Sequence, residues 1–94
     1  MVKESVLVKF IERHATKRGH YFKKNVPIPK GFPDITYIIV GVHFYIETKR
    51  EENGKIGLEQ ARQHKKLRDA GCKTAFIKTK EEFLNFIGEE NSNG

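Results

Sequence analysis

The sequence predicts an α/β sandwich in which a small mixed β-sheet lies between helices. Three observations carry that expectation. Helical periodicity opens the chain and returns twice in its second half. A nearly continuous apolar run over residues 35–46 is broken only by a turn signal at Val40-Gly41, and a short apolar stretch over residues 73–78 separates the last two helical segments.

Taken in order, residues 2–18 place Val6, Leu7, Phe10, Ile11 and Ala15 at three-and-four spacing, and Gly19 supplies a C-terminal cap. The basic-aromatic stretch His20-Tyr21-Phe22-Lys23-Lys24 suits an edge strand. Pro27, Pro29, Gly31 and Pro33 make the next segment a loop. From Asp34 to Glu47 the chain reads as a hairpin rich in apolar and β-branched residues, as expected of strands covered on both faces. A two-residue turn at Val40-Gly41 would pair Ile39 with Val42. Asn53-Gly54 marks another turn, residues 57–70 read as a helix ended by Gly71, and residues 73–78 read as a buried strand. Thr79 with Glu82 forms a capping box for a last helix through Ile87. With no internal repeat and no long linker, residues 1–88 are expected to form one domain, followed by a flexible tail over 89–94.

Ninety-four residues are near the low end for an independent core, which makes a homodimer plausible. Eighteen Lys and Arg against 12 Asp and Glu give a net charge of +6 and a pI near 9.6. That balance suits a polyanionic partner such as nucleic acid, although a solvated basic face is the ordinary use of any one cation. A single cysteine, Cys72, excludes an internal disulfide and a cysteine-rich zinc knuckle, and is expected to be a core thiol. His14, His20, His43 and His64 lack zinc-ligand spacing, so structural or solvent-exposed roles are expected. There is no glycine-rich phosphate loop, no G-x-S-x-G, no signal-peptide pattern at the N-terminus and no membrane-length apolar run. A soluble, intracellular (cytoplasmic) protein with no membrane partner is expected.

The chemistry is concentrated in a few acidic and basic positions. Alternate residues of a strand share a face, so Glu47 and Lys49 point the same way, with Cα atoms about 6.5–7 Å apart. Counting outward from a two-residue turn sets Asp34 opposite Glu47, with Cβ atoms about 4.5–5.5 Å apart. Two carboxylates that close repel unless a cation lies between them, so the pair reads as a metal site. The blander reading of Glu47 and Lys49 is a charged strand end carrying an ion pair worth about 0–1 kcal/mol. Pro33 and Gly31 would deliver Asp34 rigidly to the start of its strand, although Pro-Asp turns are common. On a helical wheel Glu4 falls among Leu7, Val8, Ile11 and Ala15, where a buried carboxylate demands a partner or a metal. As a first-turn residue it could equally face water and favour the helix N-terminus. Gln60 shares a face with Ala61, His64 and Leu67, which turns it toward the sheet near Glu47; a polar first-turn residue meeting only water is the alternative.

Gly31-x-Pro33-Asp34, then Ile46-Glu47-Thr48-Lys49, then Asn53-Gly54-Lys55 leading into Glu59-Gln60, resembles the VRR-NUC family of the PD-(D/E)xK nuclease superfamily. Glu4-Ser5 and Lys17-Arg18-Gly19 fit that family's first helix, and the similarity runs from Glu4 to the last helix. The absence of an attached domain is similar to stand-alone members found in phages and bacteria, so phage origin is among the expectations.

The resemblance implies a restriction-endonuclease-like fold and a Mg²⁺- or Mn²⁺-dependent DNA endonuclease. Asp34, Glu47 and the Thr48 main-chain carbonyl would bind the metal. Lys49 would orient the attacking water and stabilise the scissile phosphate, Gln60 would position Lys49 or the nucleophile, and Glu4 would serve a second shell or a second metal. Lys17, Arg18, Lys23, Lys24, Arg50 and Lys55 are candidate DNA contacts, with Arg62, Lys65, Lys66 and Arg68 as further cations. The stand-alone members resemble Holliday-junction resolvases, which implies a homodimer acting on four-way junctions in DNA repair. A flap- or nick-directed nuclease on the same fold, a non-catalytic basic DNA-binding domain and an interaction module with an incidental basic surface are the alternatives.

Overall fold

The computed structural model describes residues 3–48 and 55–89. Seven elements follow one another: α1 (Glu4–Arg18), β1 (Tyr21–Lys24), β2 (Ile35–Ile39), β3 (Val42–Glu47), α2 (Leu58–Asp69), β4 (Lys73–Phe76) and α3 (Lys80–Phe86). The strands form one mixed sheet in the order β1-β2-β3-β4, antiparallel except for the parallel β3–β4 pair. This is the expected sandwich.

Cross-strand partners Ile35 and Ile46, and Tyr37 and Phe44, share one face of the sheet. They pack with Leu7, Ile11 and Ala15 of α1 and with Ile77, Phe83 and Ile87 around α3 to form the core. The Tyr37 hydroxyl lies 2.7 Å from Nδ1 of His20, a partner for a buried phenol whose ionisation burial disfavours. Helix α2 covers part of the opposite face, where His64 stacks on Phe76 of β4. Cover on that side is incomplete: Val42 and His43 at the far end of the hairpin are exposed, contrary to the expectation of strands covered on both faces.

Helix α1 ends as expected, with Gly19 in the left-handed region (φ 74°) and its amide bonded to the Ala15 carbonyl. The hairpin turns on two residues, Val40 (φ 42°) and Gly41 (φ 80°), and its ladder runs from Ile39–Val42 to Ile35–Ile46. Strand β4 closes sooner than residues 73–78 suggest. The Ile77 amide still donates to the Glu47 carbonyl at 2.9 Å, whereas the amides of Lys78 and Thr79 turn to Oε1 of Glu82. The Thr79–Glu82 capping box thus competes for the backbone that would lengthen the strand. Cys72 is half-buried rather than in the core. The Asn53-Gly54 turn, Lys49, Arg50 and residues 90–94 lie outside the described residues.

Candidate active site

One residue beyond the last ladder pair, Asp34 and Glu47 occupy opposing positions at the open end of the β2–β3 hairpin. Glu47 is 3% exposed. Asp34 is clamped by its neighbour across the strands: Oδ2 accepts the Thr48 amide and the Thr48 hydroxyl, each at 2.8 Å. Thr48 is itself buried, so the clamp is shielded from water and fixes the orientation of the carboxylate.

Asp34 is delivered by a loop held at both ends. The Asn25 amide donates to the Asp34 carbonyl at 2.7 Å, and the Asn25 side-chain amide donates to the Pro33 carbonyl at 3.1 Å and to the Thr36 hydroxyl at 2.9 Å. Pro33 is buried, and the Ile28–Pro29 peptide is cis. Gly31 (φ 85°) presses against the first turn of α2 so closely that a Cβ would lie 2.4 Å from the Glu59 carbonyl carbon. A side chain is excluded there by both conformation and space.

That contact seats the start of α2 beside the carboxylates. Asp34, Glu47, Gly31, Phe32, Leu58 and Gln60 line a cleft of about 430 Å³. Gln60 turns its side-chain carbonyl back to accept the Gly57 amide at 2.9 Å, which caps the helix it begins. Gln60 therefore reaches the cleft, and His64 and Leu67 continue its stripe. Ala61, expected on the same face, is exposed.

Glu4 is exposed in the first turn of α1, so of the two readings of that position the water-facing one holds. It lines a second cleft of about 290 Å³ that also contains Lys24, Asn25, Asp34 and Thr48. Asp34 is common to both clefts. Among the described residues no group of three or more His, Cys, Asp or Glu side chains is gathered closely enough to hold an ion without other donors.

Scans of family profiles and of curated proteins return no match to the chain. A solved structure described as a VRR-NUC domain is similar to it with a TM-score of 0.75 and 25% sequence identity, over 93% of this chain and 96% of the other. The chain has the fold of a VRR-NUC domain.

The donors at the sheet end are all oxygen: two carboxylates at opposing positions and the nearby Thr48 carbonyl. That donor set fits a hard divalent cation such as Mg²⁺ or Mn²⁺. Of the candidate DNA contacts, Lys17, Lys23, Lys24 and Lys55 are exposed, with Lys24 in the Glu4 cleft, while Arg18 lies 3.5 Å from Glu89. Arg62 and Lys65 are committed to Glu59 and Asp69 on the outer face of α2.

One residue near the site, Asn25, escaped the sequence, and Thr48 and His64 hold roles beyond those it assigned. Asn25 anchors the loop and Thr48 clamps Asp34, roles that short polar side chains acquire only from tertiary placement. His64 is fully buried behind the cleft, its ring 4.1 Å from that of Phe76. Burial, with Arg68 adding to it and Asp34 opposing, pushes the imidazole down to about 4. His64 is neutral at pH 7.

Among the described residues no helix is long and apolar enough to cross a membrane.

Proposed function

We propose that this domain is a divalent-metal-dependent endonuclease for branched DNA. The observation that supports it is the juxtaposition of Asp34 and Glu47 at the sheet end, with Gln60 in the same cleft, on a VRR-NUC fold. Asp34, Glu47 and the Thr48 carbonyl would hold the ion. When bound, Mg²⁺ or Mn²⁺ supplies Lewis acidity and lowers the pKa of a water for attack on the phosphodiester.

The chain's own residues prepare that chemistry. Thr48 fixes Asp34 in one orientation, so no reorganisation is needed when charge develops. Glu47, nearly sealed from solvent, adds a second anion whose placement depends on the hairpin register. Lys49, two positions on, orients the attacking water and balances charge on the scissile phosphate. Gln60 holds Lys49 or the nucleophile in place, and Glu4 acts from the neighbouring cleft on a second shell or a second ion. The cations Lys17, Arg18, Lys23, Lys24, Arg50 and Lys55 steer the DNA backbone.

A four-way junction, cut symmetrically by a homodimer, is the substrate we assign, since a two-fold pair presents two equivalent sites. One observation favours a flap or nick as the second reading. The cleft is lined in part by Leu58, an apolar side chain 65% exposed, which suits an unstacked base better than a closed duplex.

Cleavage of a synthetic four-way junction, a flap and a nicked duplex, each with and without Mg²⁺, tests the proposal. Cleavage of the junction in Mg²⁺ alone is expected. Asp34→Asn and Glu47→Gln should each reduce it by about 10²–10³-fold or more while leaving the melting temperature within a few degrees. Full activity in either variant rejects the assignment, and salt-sensitive binding with no cleavage points to a non-catalytic DNA-binding domain.

A further inference from the structure

We propose that Lys78 is a phosphate-anchoring residue of this site, a cation supplied by the end of β4 in addition to Lys49. The inference rests on the nuclease reading above and names a contact that no sequence motif marks.

The position of Lys78 is fixed from three sides. Ile77, immediately before it, donates its amide to the Glu47 carbonyl at 2.9 Å. The Lys78 amide donates to Glu82 Oε1 at 2.7 Å, and the Thr79 amide to the same oxygen at 3.0 Å. Its backbone is therefore locked alongside the strand that carries Glu47 and Thr48. From there the side chain reaches back, and Nζ donates to the Thr48 carbonyl at 3.4 Å. Thr48 spends its amide and hydroxyl on Asp34, so a three-residue chain of contacts links the ammonium to the carboxylate.

Arg18, Arg62 and Lys65 each lie within 4 Å of a carboxylate, but Lys78 makes no ion pair among the described residues. Glu82, at the start of α3, has Oε1 committed to the Lys78 and Thr79 backbone amides. A half-buried ammonium with one long bond to a carbonyl keeps donors to spare, since it carries three. Its desolvation is offset once an anion arrives. A phosphodiester, singly charged and presenting oxygens only, is the anion that a nuclease would bring to the end of β3, where Lys78 meets Thr48. We assign Lys78 to the DNA phosphate nearest the Asp34–Glu47 pair.

The test uses the full chain and a fluorescein-labelled four-way junction, with Ca²⁺ replacing Mg²⁺ and binding followed by anisotropy over a range of salt. Lys78→Gln should weaken binding about tenfold at low salt and reduce the slope of log Kd against log salt by about one phosphate contact. Lys78→Arg should restore both, and the melting temperature of each variant should stay near that of the parent. A Lys78→Gln chain that binds with the parental slope overturns the proposal, whether or not it melts early, because a purely structural bond to the Thr48 carbonyl would move only stability. If the parent cuts the junction and the slope is unchanged, Lys78 alone is misassigned. A parent that neither binds nor cuts DNA defeats the nuclease reading together with this one.

Discussion

At the scale of single residues, His64 shows how tertiary burial decides what a side chain contributes. Among the described residues neither ring nitrogen has a hydrogen-bond partner, and the ring lies against Phe76. The folded chain resists protonating it until about pH 4, whereas the unfolded chain takes up the proton near its ordinary value of 6.5. The unfolded state therefore binds more protons between those two values, and stability falls as pH drops through that window. The loss attributable to this group approaches about 2–3 kcal/mol near pH 4. His64→Leu should leave stability at pH 7 unchanged or slightly higher, since it removes two buried polar atoms that make no bond. Urea titrations of both proteins from pH 7 to 4 should show the parent losing more stability; parallel profiles would contradict this account. Asp34 and Glu47 were legible because strand periodicity and a two-residue turn leave their pairing no freedom. For Glu4 the sequence left burial and exposure open, because a helical wheel gives the direction of a side chain but not what covers it.

At the scale of elements, the hairpin turn is the weakest local fit between sequence and structure. A two-residue turn with both φ values positive favours Asn-Gly or Gly-Gly, yet its first position holds Val40, a β-branched residue that is 97% exposed. Val40→Asn should stabilise the domain by about 1 kcal/mol, read from denaturant midpoints, without altering DNA cleavage. A destabilised variant would show that Val40 packs in a way its exposure denies. The capping box at Thr79 was legible from two residues because its chemistry is local. The approach of Gly31 to the α2 backbone was not, although the glycine was noticed for its freedom to turn. Contacts between a loop and a helix separated by more than twenty residues leave no periodic trace in either segment. The same reason explains why Asn25, which ties the loop to Pro33 and Thr36, gave no signal.

At the scale of the whole molecule, the architecture follows from alternating helical and strand patterns, and the described structure has the helices on both sides of a mixed sheet. What patterns cannot convey is how copies of the chain meet, because an interface needs only surface complementarity. A resolvase requires two sites, so sedimentation equilibrium at micromolar concentration should yield twice the 10.9 kDa mass of one chain. A single-chain mass would shift the assignment to the flap or nick substrate. The central claim is narrower than either substrate: Asp34 and Glu47 converge on one divalent ion. Titration of Mn²⁺ into the DNA-free chain, followed by calorimetry or by the manganese spin-resonance signal, addresses it most directly. Saturable binding that weakens about tenfold or more in Glu47→Gln is the predicted result; equal binding by the two proteins, or none by the parent, would contradict it.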